Sequence, residues 1–151
     1  MKKNAFTMIE ILVVVTIIGI LYGTAALTYS SLTRSSRDAR RRADLEQIRA
    51  ALEMYRSSET TANGQYPTFN ASNCANLVTD ITNFTNYLPI VPVDPKPGPP
   101  ANFFYLCDSS PAGYTLYSTV ESVDSASCGV DCGDGVPCEY AVGPYGKTCG
   151  P

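Results

Sequence analysis

Histidine is absent from the 151 residues of this chain. That removes the commonest general base and a usual nitrogen ligand of zinc. No Ser or Cys nucleophile elbow, phosphate-cradling glycine loop or C-x-x-C pair takes its place. The sequence therefore predicts no catalytic residue, no enzyme, no cofactor and no zinc site. Charge is absent from residues 11–33, and Leu, Ile and Val fill the first half of that run on every side, which excludes an amphipathic surface helix. Proline is absent before Pro67, so nothing interrupts a helix that starts near the beginning of the chain. Cysteine is absent before Cys74, which confines any disulfide framework to the later part.

What is present begins with the uncharged run itself. Its 23 residues, at about 1.5 Å of rise each, exceed the ~30 Å hydrocarbon thickness of a bilayer. Glu10 stands one residue outside it, at the edge of the apolar run, and an unpaired carboxylate carried into a bilayer costs up to roughly 2.5–3.5 kcal/mol at its centre. A plain signal or anchor segment, the simplest alternative, has no use for that carboxylate. Gly19 and Gly23 form a G-x-x-x-G followed by Ala25 and Ala26, and small residues on one face let helices approach closely in lipid. Two glycines merely tolerated in a membrane helix would look the same. Residues 1–5 are too short to be a secretory signal peptide with its own apolar region.

The order KKNAFTMIEILVVVTIIGIL closely resembles the amino-terminal signature of type IV pilins and pseudopilins. The resemblance implies a leader of residues 1–5, cut by a prepilin peptidase between Ala5 and Phe6, and methylation of the new amino group on Phe6. Where the family usually has Gly before the cut, this chain has Ala5. It also implies that Glu10 serves assembly by pairing with the Phe6 amino group, within one subunit or between axially shifted neighbours. A helix through both residues places them at i and i+4. An assembly ATPase and a platform protein are further partners the resemblance implies.

Residues 34–42, RSSRDARRR, hold five arginines. By the positive-inside rule they would put the later part of the chain in the cytoplasm; the cysteines argue for the opposite side, and the charge rule weakens when a long domain follows. The cluster is then expected to be a solvated or lipid-headgroup-facing girdle. Beyond it, Leu45, Ile48, Leu52 and Tyr55 form one apolar stripe, with Asp38 and Arg42, and Glu46 and Arg49, paired on the outer face. A single helix from residue 6 to about 58, some 80 Å long, is predicted, closed by the Asn63-Gly64 turn. ALEMYRSSETTANGQYPT and YLPIVPVDP again look like this family, the latter like a segment of major pseudopilins. Six prolines between Pro89 and Pro100 keep that region extended.

NFFYLCD (102–108) and YTLYSTVE (114–121) read as a hairpin, with Tyr114, Leu116 and Val120 on one face; CEYAV (138–142) is a candidate third strand. The predicted class is α+β, pilin-like: a long amino-terminal helix on a small antiparallel sheet. Its parts are a leader (1–5), a membrane or filament-core helix (6–33), an amphipathic continuation (34–58), a Pro-rich connection (59–101), and a sheet with a disulfide-stapled tail (102–151).

Cys74, Cys107, Cys128, Cys132, Cys138 and Cys149 lie in this later part. An even number behind a membrane segment points to disulfides outside the cytoplasm, with fifteen pairings open; Cys74 with Cys107 is favoured, the other four stapling the Gly-rich tail. Residues 1–56 carry net +4 and residues 57–151 net −7, which adds to the chain's −3. So acidic a head is a poor nucleic-acid surface. Asp131 and Asp134 are weak calcium candidates without the D-x-D-x-D-G rhythm, and Asn70-Ala-Ser and Asn83-Phe-Thr fit the glycosylation sequon.

These features predict a homo-oligomeric, type IV pilus-like filament subunit. Before assembly it would be a single-pass membrane protein with an extracytoplasmic head, and afterwards part of a cell-surface filament. The alternatives are a type II secretion pseudopilin and a monomeric, signal-anchored binding domain.

Overall fold

The computed structural model describes residues 6–69, 72–96, 104–110, 112–122 and 127–151. It is built on one helix, α1, Met8–Ser58, 51 residues long and about 76 Å from end to end. Thr7 is its N-cap: the backbone there is extended, and the hydroxyl accepts the Glu10 N–H at 3.3 Å. The helix therefore begins at Met8, and Phe6 precedes the cap. At the other end Glu59 turns extended while its N–H still reaches the Tyr55 carbonyl at 2.9 Å. A short 3-10 turn follows, and Asn63 and Gly64, with φ of +50° and +74°, reverse the chain through the left-handed region that Gly and Asn tolerate best.

The head is an antiparallel meander, β1 (Ser72–Asn73), β2 (Leu106–Ser110), β3 (Gly113–Ser118), β4 (Tyr140–Gly143) and β5 (Gly146–Cys149), in the order of the chain. β2 and β3 form the central hairpin, with Leu106 opposite Tyr117 and Ser110 opposite Gly113. The hairpin is tighter than the gap between the predicted strands, residues 109–113, because Ser109, Ser110 and Gly113 pair inside the ladder. The expected strand start at residues 102–103 lies outside the described residues, as do Asn70 and Pro97, Pro99 and Pro100. β3 ends at Ser118, before the expected 121, because residues 119–122 turn away to meet the helix. β4 starts at Tyr140, two residues late, because the Cys138 N–H is drawn off to the Val130 carbonyl at 2.8 Å.

The core lies between the second half of α1 and the sheet. Leu45, Ile48, Leu52 and Tyr55 are buried against Leu116, Tyr114 and Val142 on one side and Phe84, Leu77 and Leu88 on the other. Each such aliphatic side chain contributes about 1.5–3 kcal/mol of burial. A one-turn helix, α2 (Leu77–Asp80), and the connection that follows supply the second group. Cys74 is bonded to Cys107, Cys128 to Cys149 and Cys132 to Cys138. The first bridge ties the loop after α1 to β2; the other two gather the tail around β4 and β5. The result is an α+β fold, a long helix packed on an antiparallel sheet.

Candidate functional site

Among the described residues, the apolar part of α1 before Ser30 packs against nothing in the head. Its most apolar 18-residue window has a mean hydropathy of 2.3 and no buried residue. Met8 is 92% exposed, and Ile9, Leu12, Val15, Ile20 and Leu21 are all more than half exposed. A surface of this kind is stable only in lipid or against other apolar surface. Its threonines are prepared for such a place. Thr16, Thr24, Thr28 and Thr33 donate their hydroxyls to carbonyls three or four residues back, at 2.8–3.1 Å to Val13, Leu21, Thr24 and Tyr29. None of these hydroxyls needs water. Gly19 and Gly23 open on empty space, with nothing within 4 Å of a Cβ built on either.

At the start of this surface stand Phe6, 76% exposed, then the Thr7 cap and Glu10 in the first turn, also exposed. Because Phe6 precedes the cap, the i,i+4 relation expected from a helix running through both residues does not describe this end. Glu10 instead sits in the first turn, where the positive end of the helix dipole favours a carboxylate. Ala5 and the leader lie outside the described residues.

The model of the prokaryotic N-terminal methylation motif matches residues 1–26. The chain carries the type IV pilin and pseudopilin signature. The motif supports a type IV pilin- or pseudopilin-like class, and it implies processing by a prepilin peptidase. Together with the apolar helix it supports a membrane-anchored precursor. No curated protein and no solved structure gives a significant match to the chain.

The signature helix is fixed to the head by a charge network that contradicts one expectation. Residues 34–42 are not all a solvated girdle, and Asp38 is not on the outer face. Arg41 is 1% exposed and Asp38 3%. The Arg41 guanidinium donates to Asp94 at 2.7 and 3.0 Å and to Asp38 at 2.8 Å, and lies 2.8 Å from a Glu121 oxygen. Arg37 forks onto the same Glu121 at 2.8 and 2.6 Å, and the Lys96 ammonium stands 3.7 Å away. Asp38 also accepts the backbone N–H groups of Glu121 and Ser122 at 2.8–3.1 Å, clamping the turn after β3 to the helix. Three cations thus face three carboxylates, and the buried charges at their centre, Arg41, Asp38 and Asp94, are bonded fully enough to be retained where a lone buried ion could not be.

The network sets its own titration. The hydrogen bond from Arg37 holds the Glu121 carboxyl down at about 2; burial opposes it and Arg41 reinforces it. Burial alone would lower the Arg41 guanidinium, but Asp94 and Glu121 outweigh it and raise it above its ordinary value. Farther along, burial and a hydrogen bond from each hydroxyl, Tyr105 to Asp44 at 2.7 Å and Tyr114 to Glu53 at 3.0 Å, push both phenols up. These are helix-to-sheet struts. Glu46 and Arg49 pair at 2.9 Å, and Arg42 stacks over Tyr140 at 5.4 Å instead of pairing with Asp38.

The Asp131 carboxylate accepts the N–H groups of Gly133 and Gly135 at 2.7 and 3.2 Å and so shapes its own turn. Asp134 occupies a left-handed position in that turn, with φ +52°. Asp94 and Glu121 were not among the residues singled out from sequence. The proline after Asp94 marks a turn but gives no sign that its carboxylate reaches a helix 53 positions back.

Proposed function

We propose that this chain is the structural subunit of a type IV pilus-like filament, held in the membrane by α1 and polymerised through it after removal of the leader. The observation that carries the reading is an apolar half-helix, headed by the methylation motif and entirely exposed, continuous with a half-helix locked into a disulfide-bonded head. The exposed half would lie in lipid during storage and against copies of itself in the filament, while the head coats the outside. In that exchange Glu10 would meet the methylated amino group of Phe6 on a neighbouring copy. The intermolecular pairing compensates a carboxylate in apolar surroundings and fixes the axial stagger. The head would be extracytoplasmic, where three disulfides persist. Mature residues 6–33 would form the filament core, 34–58 the head-bearing half of the helix, and 59–151 the coat.

A secretion-system pseudopilin is the second reading, supported by the YLPIVPVDP stretch whose Asp94 anchors the helix. Extracellular fibres at native expression favour the pilus; loss of a secreted protein on deletion favours the pseudopilus.

The test is the intact mass and amino-terminal sequence of the unreduced protein from its own cells. A chain that starts at N-methyl-Phe6 and is six hydrogens lighter than its reduced form is expected. A chain that starts at Met1 with free thiols overturns the proposal. Glu10→Ala should abolish or disturb filaments while leaving the head folded.

A further inference from the structure

The ion network takes up Arg37 and Arg41 of the basic cluster; Arg40 lies near Asp44 and Arg42 over Tyr140, and Arg34, which has neither kind of partner among the described residues, lines a cavity. Arg37, Arg41 and Lys96 balance Asp38, Asp94 and Glu121, three charges against three. Arg34 is exposed and, among the described residues, makes no hydrogen bond or ion pair. It lines a cavity of about 160 Å³ with Ser30, Ser31, Ser122 and Glu121. Ser30 and Ser31 lie four and three positions before Arg34, hence on one face of α1. Glu121 does not make the cavity negative. One of its oxygens is held by Arg37 and Arg41, the other by Arg37 and Lys96.

What remains is one unmatched guanidinium and three hydroxyls. This donor set suits a tetrahedral oxyanion carrying one net negative charge. Its depth is set by the helix. Counting about 1.5 Å per residue from Ile11, Ser30 stands roughly 29 Å and Arg34 roughly 35 Å along α1. A hydrocarbon layer of ~30 Å ends there and the headgroup layer begins. The phosphate that occurs at that depth is a lipid's.

We propose that Arg34, with the Ser30, Ser31 and Ser122 hydroxyls, binds the phosphate of an anionic phospholipid while the chain is stored in the membrane. The inference rests on the membrane-stored reading above. A lipid with net charge −1 fits the single unmatched cation. A zwitterionic lipid brings an ammonium for which, among the described residues, no free carboxylate lines the cavity.

The test uses the full chain in nanodiscs of mixed phosphatidylglycerol and phosphatidylcholine, with lipids retained on release counted by native mass spectrometry. Preferential retention of one phosphatidylglycerol is expected, falling about fivefold in Arg34→Gln, the effect of one arginine at a lipid surface. Arg40→Gln, which removes the same charge from another exposed position, should change it less than about twofold on that scale. Equal losses in the two variants would reduce the effect to diffuse surface charge and overturn the site, as would equal retention of both lipids. Displacement of the lipid by inorganic phosphate at constant ionic strength would reassign the cavity to free phosphate. A chain that never enters the bilayer overturns membrane storage itself, an outcome visible before any lipid is counted.

Discussion

Arg41→Met keeps most of the side chain's volume and removes its charge, which leaves the buried Asp38 and Asp94 and the mostly buried Glu121 without their shared guanidinium. Losing one member of a buried ion network costs about 3–5 kcal/mol. Urea unfolding followed by circular dichroism should show a loss of that order for Arg41→Met, whereas Arg40→Met, at a side chain 64% exposed, should stay within about 0.5 kcal/mol of the parent. Similar midpoints for the two would remove Arg41 from its structural role. Glu121 supplies the pH counterpart. Its folded value of about 2 lies below the ordinary 4.5, so protons bind the unfolded chain more readily. The stabilisation it gives is complete above roughly pH 5 and drains away as pH falls toward 2. Glu121→Gln should therefore be less stable than the parent at pH 7 and lose less on acidification. A parallel fall in both proteins between pH 5 and 3 would contradict this.

At the scale of elements, the bridge between Cys74 and Cys107 ties the loop after α1 to the strand that pairs with β3, across 33 positions of chain. Closing a loop of that size restricts the unfolded chain by ~3–4 kcal/mol. Cys74→Ser with Cys107→Ser should lower the unfolding free energy by about that amount, and a loss under about 1 kcal/mol would show the loop held by packing on Phe84 and Leu77 instead. How legible each element was in the sequence follows from where its partners lie. The stripe Leu45, Ile48, Leu52, Tyr55 is spelled out by spacing within one helix, and β3 by the alternation of Tyr114 and Leu116, whereas the burial of Ser118 on the same face has no apolar signal. β5, Gly-Lys-Thr-Cys, is a half-exposed edge strand without apolar alternation, and β1 has two residues, so neither offered a period to read. Charges on a helix read by default as a solvated face. Arg41 and Asp38 are buried because Asp94 and Glu121 arrive from 53 and about 80 positions away, which no local pattern encodes.

Across the whole molecule, α1 divides into a half that folds with the head and a half that has nothing to fold against. The boundary is where residues 119–122 meet the helix, near Ser30 and Arg34. Residues before it add no buried surface to the head, so their helicity depends on lipid or on neighbouring subunits, and short of those on local propensity alone. This arrangement separates stability from assembly. A chain truncated to begin at residue 29 loses the exposed apolar surface but keeps the ion network, the stripe and all three disulfides. It should be a soluble monomer whose head unfolds within about 0.5 kcal/mol of the full chain, because the described side chains that are removed pack against nothing in the head. A chain truncated to begin at residue 43 lacks Asp38 and Arg41, leaves Asp94 and Glu121 without their guanidinium, and should lose the several kcal/mol argued for Arg41 itself. Sedimentation and urea unfolding of the two truncations distinguish this from its opposite. If the longer fragment were destabilised as much as the shorter, the exposed half of α1 would be part of the head's fold, and its exposure would not be available for lipid or for a second copy.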